Sequence, residues 1–432
     1  MTDFLSRHRK ALVWLFRIFV GATFIISGLT KMIDVWGFVY KIEQYLSVWD
    51  MPQTRSLVLA VAMALSGIEF LLGFFMITGC YKRTSAWLMT LIMLGMLPLT
   101  FYIWVADPVS DCGCFGDFLV ISNLATFLKN VVLMVMLIYL AFNNSKVTGL
   151  FTAYSQWLVA FVAFLYILVI GLFGYHVQPL IDFRPYKVGA PLITSVSSAD
   201  DEEPRFVFIY EKDGSQREFG EEELPDSTWT FVDRKEVGST PDEERAFAVF
   251  DGDDDVTAEV LAPDSVHVLL LIPELNDIDV SSTYLVNEMN RYVESRGGRM
   301  TGVMGTDDEG LELWRDLSMA SYDLFTAENT AIKEIARGNV SVVYMKDGII
   351  RWKRSLDSID SDTFASPDDL TLDRLEYSGT GYFWLLTLVF AGVELLLWAI
   401  DRSGRAVQLH FSRRKSRNTL NKSENPEGKS EN

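Results

Sequence analysis

The sequence predicts an α-helical polytopic membrane bundle of six spans plus an extracytoplasmic α/β domain inserted before the last span. Three observations predict it. Apolar residues crowd into the first 175 positions and again into 380–400. Between them lies a polar stretch in which acidic residues outnumber basic ones roughly two to one. Within that stretch, from 266 onward, apolar strand-like runs alternate with helical ones.

Six segments are long and apolar enough to cross about 30 Å of hydrocarbon. They lie near 11–30, 57–79, 85–105, 119–142, 155–175 and 379–400, so that 1–175 reads as one membrane domain. The first is an uncleaved span, because no small-residue cleavage site follows Ser27-Gly28 and further spans come directly after it. Basic residues set the expected orientation. Arg7, Arg9 and Lys10 precede the first span, Lys82 and Arg83 follow the second, and Lys146 follows the fourth. Arg402, Arg405, Arg413, Arg414, Lys415 and Arg417 follow the sixth. These fall on one side, the cytoplasm, which places both termini there and 176–378 outside a bacterial inner membrane. Lys31 and Lys41, in the first outer loop, dissent. The tail 401–432 lacks apolar periodicity and reads as basic and disordered.

The soluble segment opens with an extended linker at 183–186 and strand-like runs at 205–210, 228–233 and 246–250. A continuous apolar run at 266–272 suits a central buried strand. Ser281 or Ser282 caps a helix stopped by Gly297-Gly298. A strand at 300–305, helices at 308–319 and 327–337, and a hairpin of 340–345 and 349–354 around Lys346-Asp347-Gly348 complete it. That order, over about 245–356, is the order of a thioredoxin-like core with a mixed sheet.

The net charge of −19 comes from the soluble segment, which argues against nucleic acid and against anionic lipid headgroups, both of which need basic patches. The acid runs at 221–223, 253–255 and 307–309 lack the spacing of a calcium loop and read as solvated surface. His267, on the central strand, reads as a core residue rather than a ligand.

Asp111-Cys112-Gly113-Cys114-Phe115-Gly116-Asp117 is the sharpest chemical signal. Two thiols one glycine apart can meet when the backbone bends, and the oxidising side of a membrane is where their disulfide would persist. Asp111 and Asp117 raise a thiol pKa, whereas a nearby helix start lowers it. A redox-active dithiol, an inert structural loop and a soft-metal site all fit the pair; zinc normally needs further ligands. Cys80, at the far end of the second span, reads as a small apolar residue. Arg17, Glu69, Lys129 and Glu394 place charge inside spans, where it needs pairing; Arg17 with Glu69 and Lys129 with Glu394 are the expected pairs. The soluble domain contains no cysteine, so where a thioredoxin-type dithiol would open a helix the chain reads 272–278 without a thiol, and the position of the usual proline reads Asn339-Val340. Dithiol exchange needs a thiolate, so this domain is expected to be redox-inactive.

At these residues the chain resembles the DoxX-like proteins, and within them the MauE type associated with methylamine utilisation. The matching residues are Arg17, Gly21, Ser27-Gly28, Lys31 and Asp34 at the first span, Glu69 and Gly73 in the second, the 111–117 loop, and 126–130 with Lys129. The whole looks like that bundle fused to a degenerate, peroxiredoxin-related thioredoxin-like domain. The resemblance implies support of disulfide formation or maturation in an extracytoplasmic protein partner, with Cys112 and Cys114 as the dithiol. Arg17, Lys31, Asp34, Glu69, Asp111, Asp117 and Lys129 carry over as supporting positions without an assigned role. No cofactor is firmly implied; a membrane quinone is a candidate electron acceptor. A non-enzymatic scaffold with structural thiols is the alternative, and a permeation path through the charged bundle a third.

Overall fold

A computed structural model describes the backbone of residues 2–52, 54–109, 111–144, 148–192, 205–212, 215–220, 230–237, 247–263, 266–275, 282–364 and 372–424. The chain divides into two units, Met1–Phe183 with Ser378–Asn432, and Arg184–Tyr377.

The first unit holds α1 (Thr2–Ile33), α2 (Val35–Val48), α3 (Arg55–Thr78), α4 (Lys82–Ala106), α5 (Asn123–Asn143), α6 (Gln156–His176) and a C-terminal helix, Gly379–Glu424. All but α2 are long and apolar enough to span, so this is a multi-pass membrane protein with six candidate spans. Helices in lipid gain little from hydrophobic contrast and pack instead through small residues. Here α1 and α3 meet backbone to backbone. A Cβ on Gly28 would lie 2.4 Å from the Phe70 nitrogen, and one on Gly73 would lie 2.7 Å from the Gly21 carbonyl oxygen. Aromatic packing seats the C-terminal helix, with Phe390 stacked on Tyr166 at 4.4 Å.

Two elements differ from expectation. The segment after the first span is not a plain loop: α2 fills it, capped by the Asp34 carboxylate, which accepts from the Gly37 amide at 2.9 Å. The tail expected to be disordered from 401 is helical as far as Glu424. Extending a formed helix avoids the cost of nucleation, Asp401 and Arg405 pair at 2.7 Å one turn apart, and no proline intervenes before Pro426.

Among the described residues the second unit contains two sheets. Strands β1 (Arg205–Lys212), β2 (Ser215–Gly220) and β3 (Thr230–Val237) form an antiparallel sheet in the order β2-β1-β3. The larger sheet is built from β4 (Val249–Asp251), β5 (Asp254–Asp255), the short helix α7 (Thr257–Val260), β6 (His267–Ile272), α8 (Thr283–Ser295), β7 (Arg299–Met304), α9 (Asp308–Ser318), β8 (Asp323–Ala327), α10 (Asn329–Ile335), β9 (Ser341–Lys346) and β10 (Ile349–Ser355). Its order is β10-β9-β6-β7-β8-β4-β5. β6 runs parallel to β7 and antiparallel to β9. Every residue of β6 is buried. Val268, Leu270 and Ile272 face Val286, Met289 and Trp314; Leu269 and Leu271 face Val249, Ile332 and Ile335. His267 is a core residue, its Nε2 3.0 Å from Thr301 Oγ1. β8 was not expected. Five residues are too few to show a period, and what makes them a strand is the parallel ladder to β7.

Candidate functional site

The loop between α4 and α5 carries both cysteines. Gly113, at φ +68°, turns the chain so that Cys112 Sγ and Cys114 Sγ face each other at 2.9 Å as free thiols. A side chain at 113 would also meet Lys41 Cγ at 2.7 Å. From α2, Lys41 Nζ bonds Asp111 Oδ1 at 2.7 Å, and Tyr45 donates to the Cys112 carbonyl at 3.0 Å. The other Asp111 oxygen accepts from the Gly113 amide at 2.8 Å. Asp111 is thus neutralised by Lys41 and organises the turn. Asp117 lies exposed in the single helical turn Gly116–Phe118.

The inner side of the loop rests on the bundle. Ser27 Oγ lies 2.7 Å from the Cys114 carbonyl oxygen and 2.7 Å from Glu69 Oε2, so its one proton is shared between them. Lys31 Nζ binds both Glu69 oxygens, at 2.8 and 3.0 Å. The nearby Lys129 ammonium sits 4.4 Å over the Phe115 ring. These groups line one small cleft of about 40 Å³ with Cys114 in its wall, closed by Phe24, Met93, Met96 and Leu133.

The two thiols are electrically unequal. The Cys112 thiol donates to Cys114 and holds it below the ordinary thiol range, at about 6; Lys129 and Lys31 pull the same way and burial opposes them. The same shared proton, with burial, pushes Cys112 up. A reduced pair of this kind keeps one sulfur as a nucleophile and the other as its proton donor.

The expected charge pairs are corrected. Arg17 does not meet Glu69. It is fully buried, its Nε bonding the Met76 carbonyl at 2.9 Å and its Nη2 the Ile77 carbonyl at 3.4 Å, with Trp14 against its face at 4.2 Å. It thereby satisfies the open carbonyls at the end of α3. Glu69 pairs with Lys31 instead. Lys129 meets Phe115 rather than Glu394, whose buried carboxyl oxygens have no hydrogen-bond partner among the described residues. Asp34 acts as the cap of α2, outside the cleft.

Of the sequence-predicted residues, Cys114, Lys31, Glu69 and Lys129 line the cleft, while Cys112 and Asp111 form the loop over it. Ser27, Lys41 and Tyr45 were missed as functional positions. For Lys41 the signal was there: a basic residue against the charge rule of its loop has a partner, and that partner is Asp111. Tyr45 carried no signal, since its role depends on α2 folding over the cysteine loop.

Residues 9–143, which supply every residue of this site, match the family described as methylamine utilisation protein MauE. Residues 204–237 match a family described only as a domain of unknown function. The chain is similar to Protein TlpB of Flavobacterium psychrophilum, at 24% identity over 133 residues, covering 30% of this chain and 36% of that protein. The chain therefore spans about a third of the length of the curated relative it matches. No solved structure matches.

Proposed function

We propose that Cys112 and Cys114 are a working dithiol that exchanges disulfides with an extracytoplasmic protein partner and so supports that partner's disulfide formation or maturation. The observation that carries the reading is the pair itself: two thiols 2.9 Å apart, one held as a thiolate by the other, on a loop clamped by α2 from one side and by Ser27 from the other. The match to MauE covers this loop and supports a role in redox or maturation chemistry at a membrane. We assign the bundle to a bacterial inner membrane with both termini cytoplasmic and 176–378 outside, on the basic flanks of the spans. The segment 245–356 serves as a thioredoxin-like module that recruits the partner. Its β10-β9-β6-β7 order with parallel β6 and β7 supports that fold, and its lack of cysteine leaves the exchange to the loop.

Single cysteine variants test the reading. With Cys112→Ser, Cys114 should trap the partner as a mixed disulfide, because no second thiol resolves it; Cys114→Ser is the reciprocal control. If neither variant traps a protein and both support normal partner maturation, the dithiol reading is wrong. A scaffold with structural thiols would then take its place, a reading favoured by the burial of both sulfurs, at 7% and 9% exposure.

A further inference from the structure

We infer that the cleft behind Cys114 is a site for hydrogen peroxide, which oxidises Cys114 there so that Cys112 can close the disulfide. The inference rests on the dithiol reading and names its oxidant.

Size carries the first part. One water needs about 10–15 Å³ of free space, so a cleft of about 40 Å³ takes a ligand of roughly three water-sized atoms. A quinone ring or a peptide disulfide does not fit it. Hydrogen peroxide, with two oxygen atoms, does.

Placement carries the second. Cys114 lines the cleft and Cys112 does not, although their sulfurs lie 2.9 Å apart. An oxidant in the cleft therefore meets one sulfur alone, the one held as a thiolate, with the other thiol directly behind it. Cysteines that peroxide oxidises readily are ionised, reachable and beside a second thiol that resolves them.

The lining carries the third. Thiolate attack on a peroxide expels hydroxide, which leaves well only if a positioned acid protonates it. Lys129 is that acid. Its ammonium lies 4.4 Å over the Phe115 ring and has no hydrogen-bond or ion-pair partner among the described residues. The other charged groups around Cys114 are engaged: Lys31 with Glu69, and Lys41, beyond the loop, with Asp111. Tyr45 donates to the Cys112 carbonyl, and α4 lines the cleft with apolar side chains only, Ile92, Met93 and Met96.

The chemistry balances. The Cys114 sulfur attacks one peroxide oxygen, the S–O bond forms and the O–O bond breaks. The departing hydroxide takes a proton from Lys129 and leaves as water, and the lysine regains its proton from solvent. The Cys112 sulfur then attacks the Cys114 sulfenic acid. The S–S bond forms, the S–O bond breaks, and the Cys112 proton leaves with the hydroxyl as a second water. The two sulfurs lose two electrons and the peroxide gains them.

The test uses the full chain, reduced and then freed of reductant, in lipid nanodiscs without air. Hydrogen peroxide, cumene hydroperoxide and glutathione disulfide are added separately, and remaining thiols are counted over time by alkylation; glutathione, an open thiol, is treated with both peroxides alongside. One hydrogen peroxide should be consumed for every two thiols lost. The preference for hydrogen peroxide over bulky cumene hydroperoxide should exceed that of glutathione about tenfold or more, because the cleft admits only the smaller. In Cys112→Ser, dimedone should label Cys114 as the sulfenic acid. At a pH where Cys114 is fully ionised, Lys129→Met should slow hydrogen peroxide about a hundredfold and leave the iodoacetamide rate unchanged, since iodide departs without a proton. The inference is overturned if glutathione disulfide oxidises the pair while the two peroxides show only the preference that glutathione shows. It is also overturned if Lys129→Met slows both reagents alike, or neither. If none of the three oxidants joins the cysteines, the dithiol reading itself fails and this inference with it, a result distinct from failure with peroxide alone. The wild-type preference decides if Lys129→Met does not accumulate.

Discussion

Breaking the Lys31–Glu69 pair tests how the site is supported. Lys31 is 4% exposed and Glu69 14%, and both carboxylate oxygens lie within 3.0 Å of the ammonium. In Lys31→Met the Glu69 carboxylate keeps only a half-share of the Ser27 proton, so an almost uncompensated charge remains inside the bundle. Losing one partner of such a pair costs about 3–5 kcal/mol. At about 1.4 kcal/mol per factor of ten, the folded-to-unfolded ratio should fall by roughly two to three and a half orders of magnitude. Glu69→Gln keeps an acceptor for Lys31 and Ser27 but leaves the Lys31 ammonium buried without a counter-charge, so it too should destabilise the bundle. The double variant Lys31→Met with Glu69→Leu leaves no buried charge and should be more stable than Lys31→Met alone. Equilibrium unfolding in mixed micelles, with Glu69→Leu as the second single variant to close the double-mutant cycle, measures the coupling. Double-variant losses equal to the sum of the two single losses would show that the groups do not support each other, and would refute the reasoning.

Cys114 should alkylate with iodoacetamide along a curve with its midpoint near pH 6, since the thiolate reacts and is lost as pH falls below that value; Cys112→Ala removes the donor and should move the midpoint upward, as seen in a pH series of labelling rates. Arg17→Leu strips the Met76 and Ile77 carbonyls of their donor and should cost about 1.5–3 kcal/mol per charged hydrogen bond lost, with no rescue from Glu69→Leu; rescue would restore the Arg17–Glu69 pairing that the structure rejects. A reporter fused after Ser378 should be active only outside the cytoplasm; cytoplasmic activity would reverse the assigned orientation. The purified 186–376 fragment should not reduce insulin above a no-protein control, because it contains no thiol.

What the chain alone determined is what depends on local composition. Hydropathy over twenty residues is a property of each segment, so the spans were legible, as was the buried strand β6 with the helix that follows it. The Cys-Gly-Cys turn was legible too, because glycine between two thiols is a local fact. Partnership was not. Arg17 and Glu69 are both buried charges on neighbouring helices, yet α1 presents Lys31 to Glu69 and Arg17 to the end of α3, two distinct heights along the same pair. The close approach at Gly28 and Gly73 sets that register, and only packed backbones reveal it. β8 needed β7 as a template, and the long C-terminal helix needed an already formed span to extend. The cleft is the plainest case. Its walls come from four helices and a loop separated by up to about a hundred residues, and the charge on Cys114 depends on Cys112, Lys129 and Lys31 converging there. Electrostatic energy falls with distance through space, not along the chain, so the tertiary fold alone decided which of these charges act on the thiols.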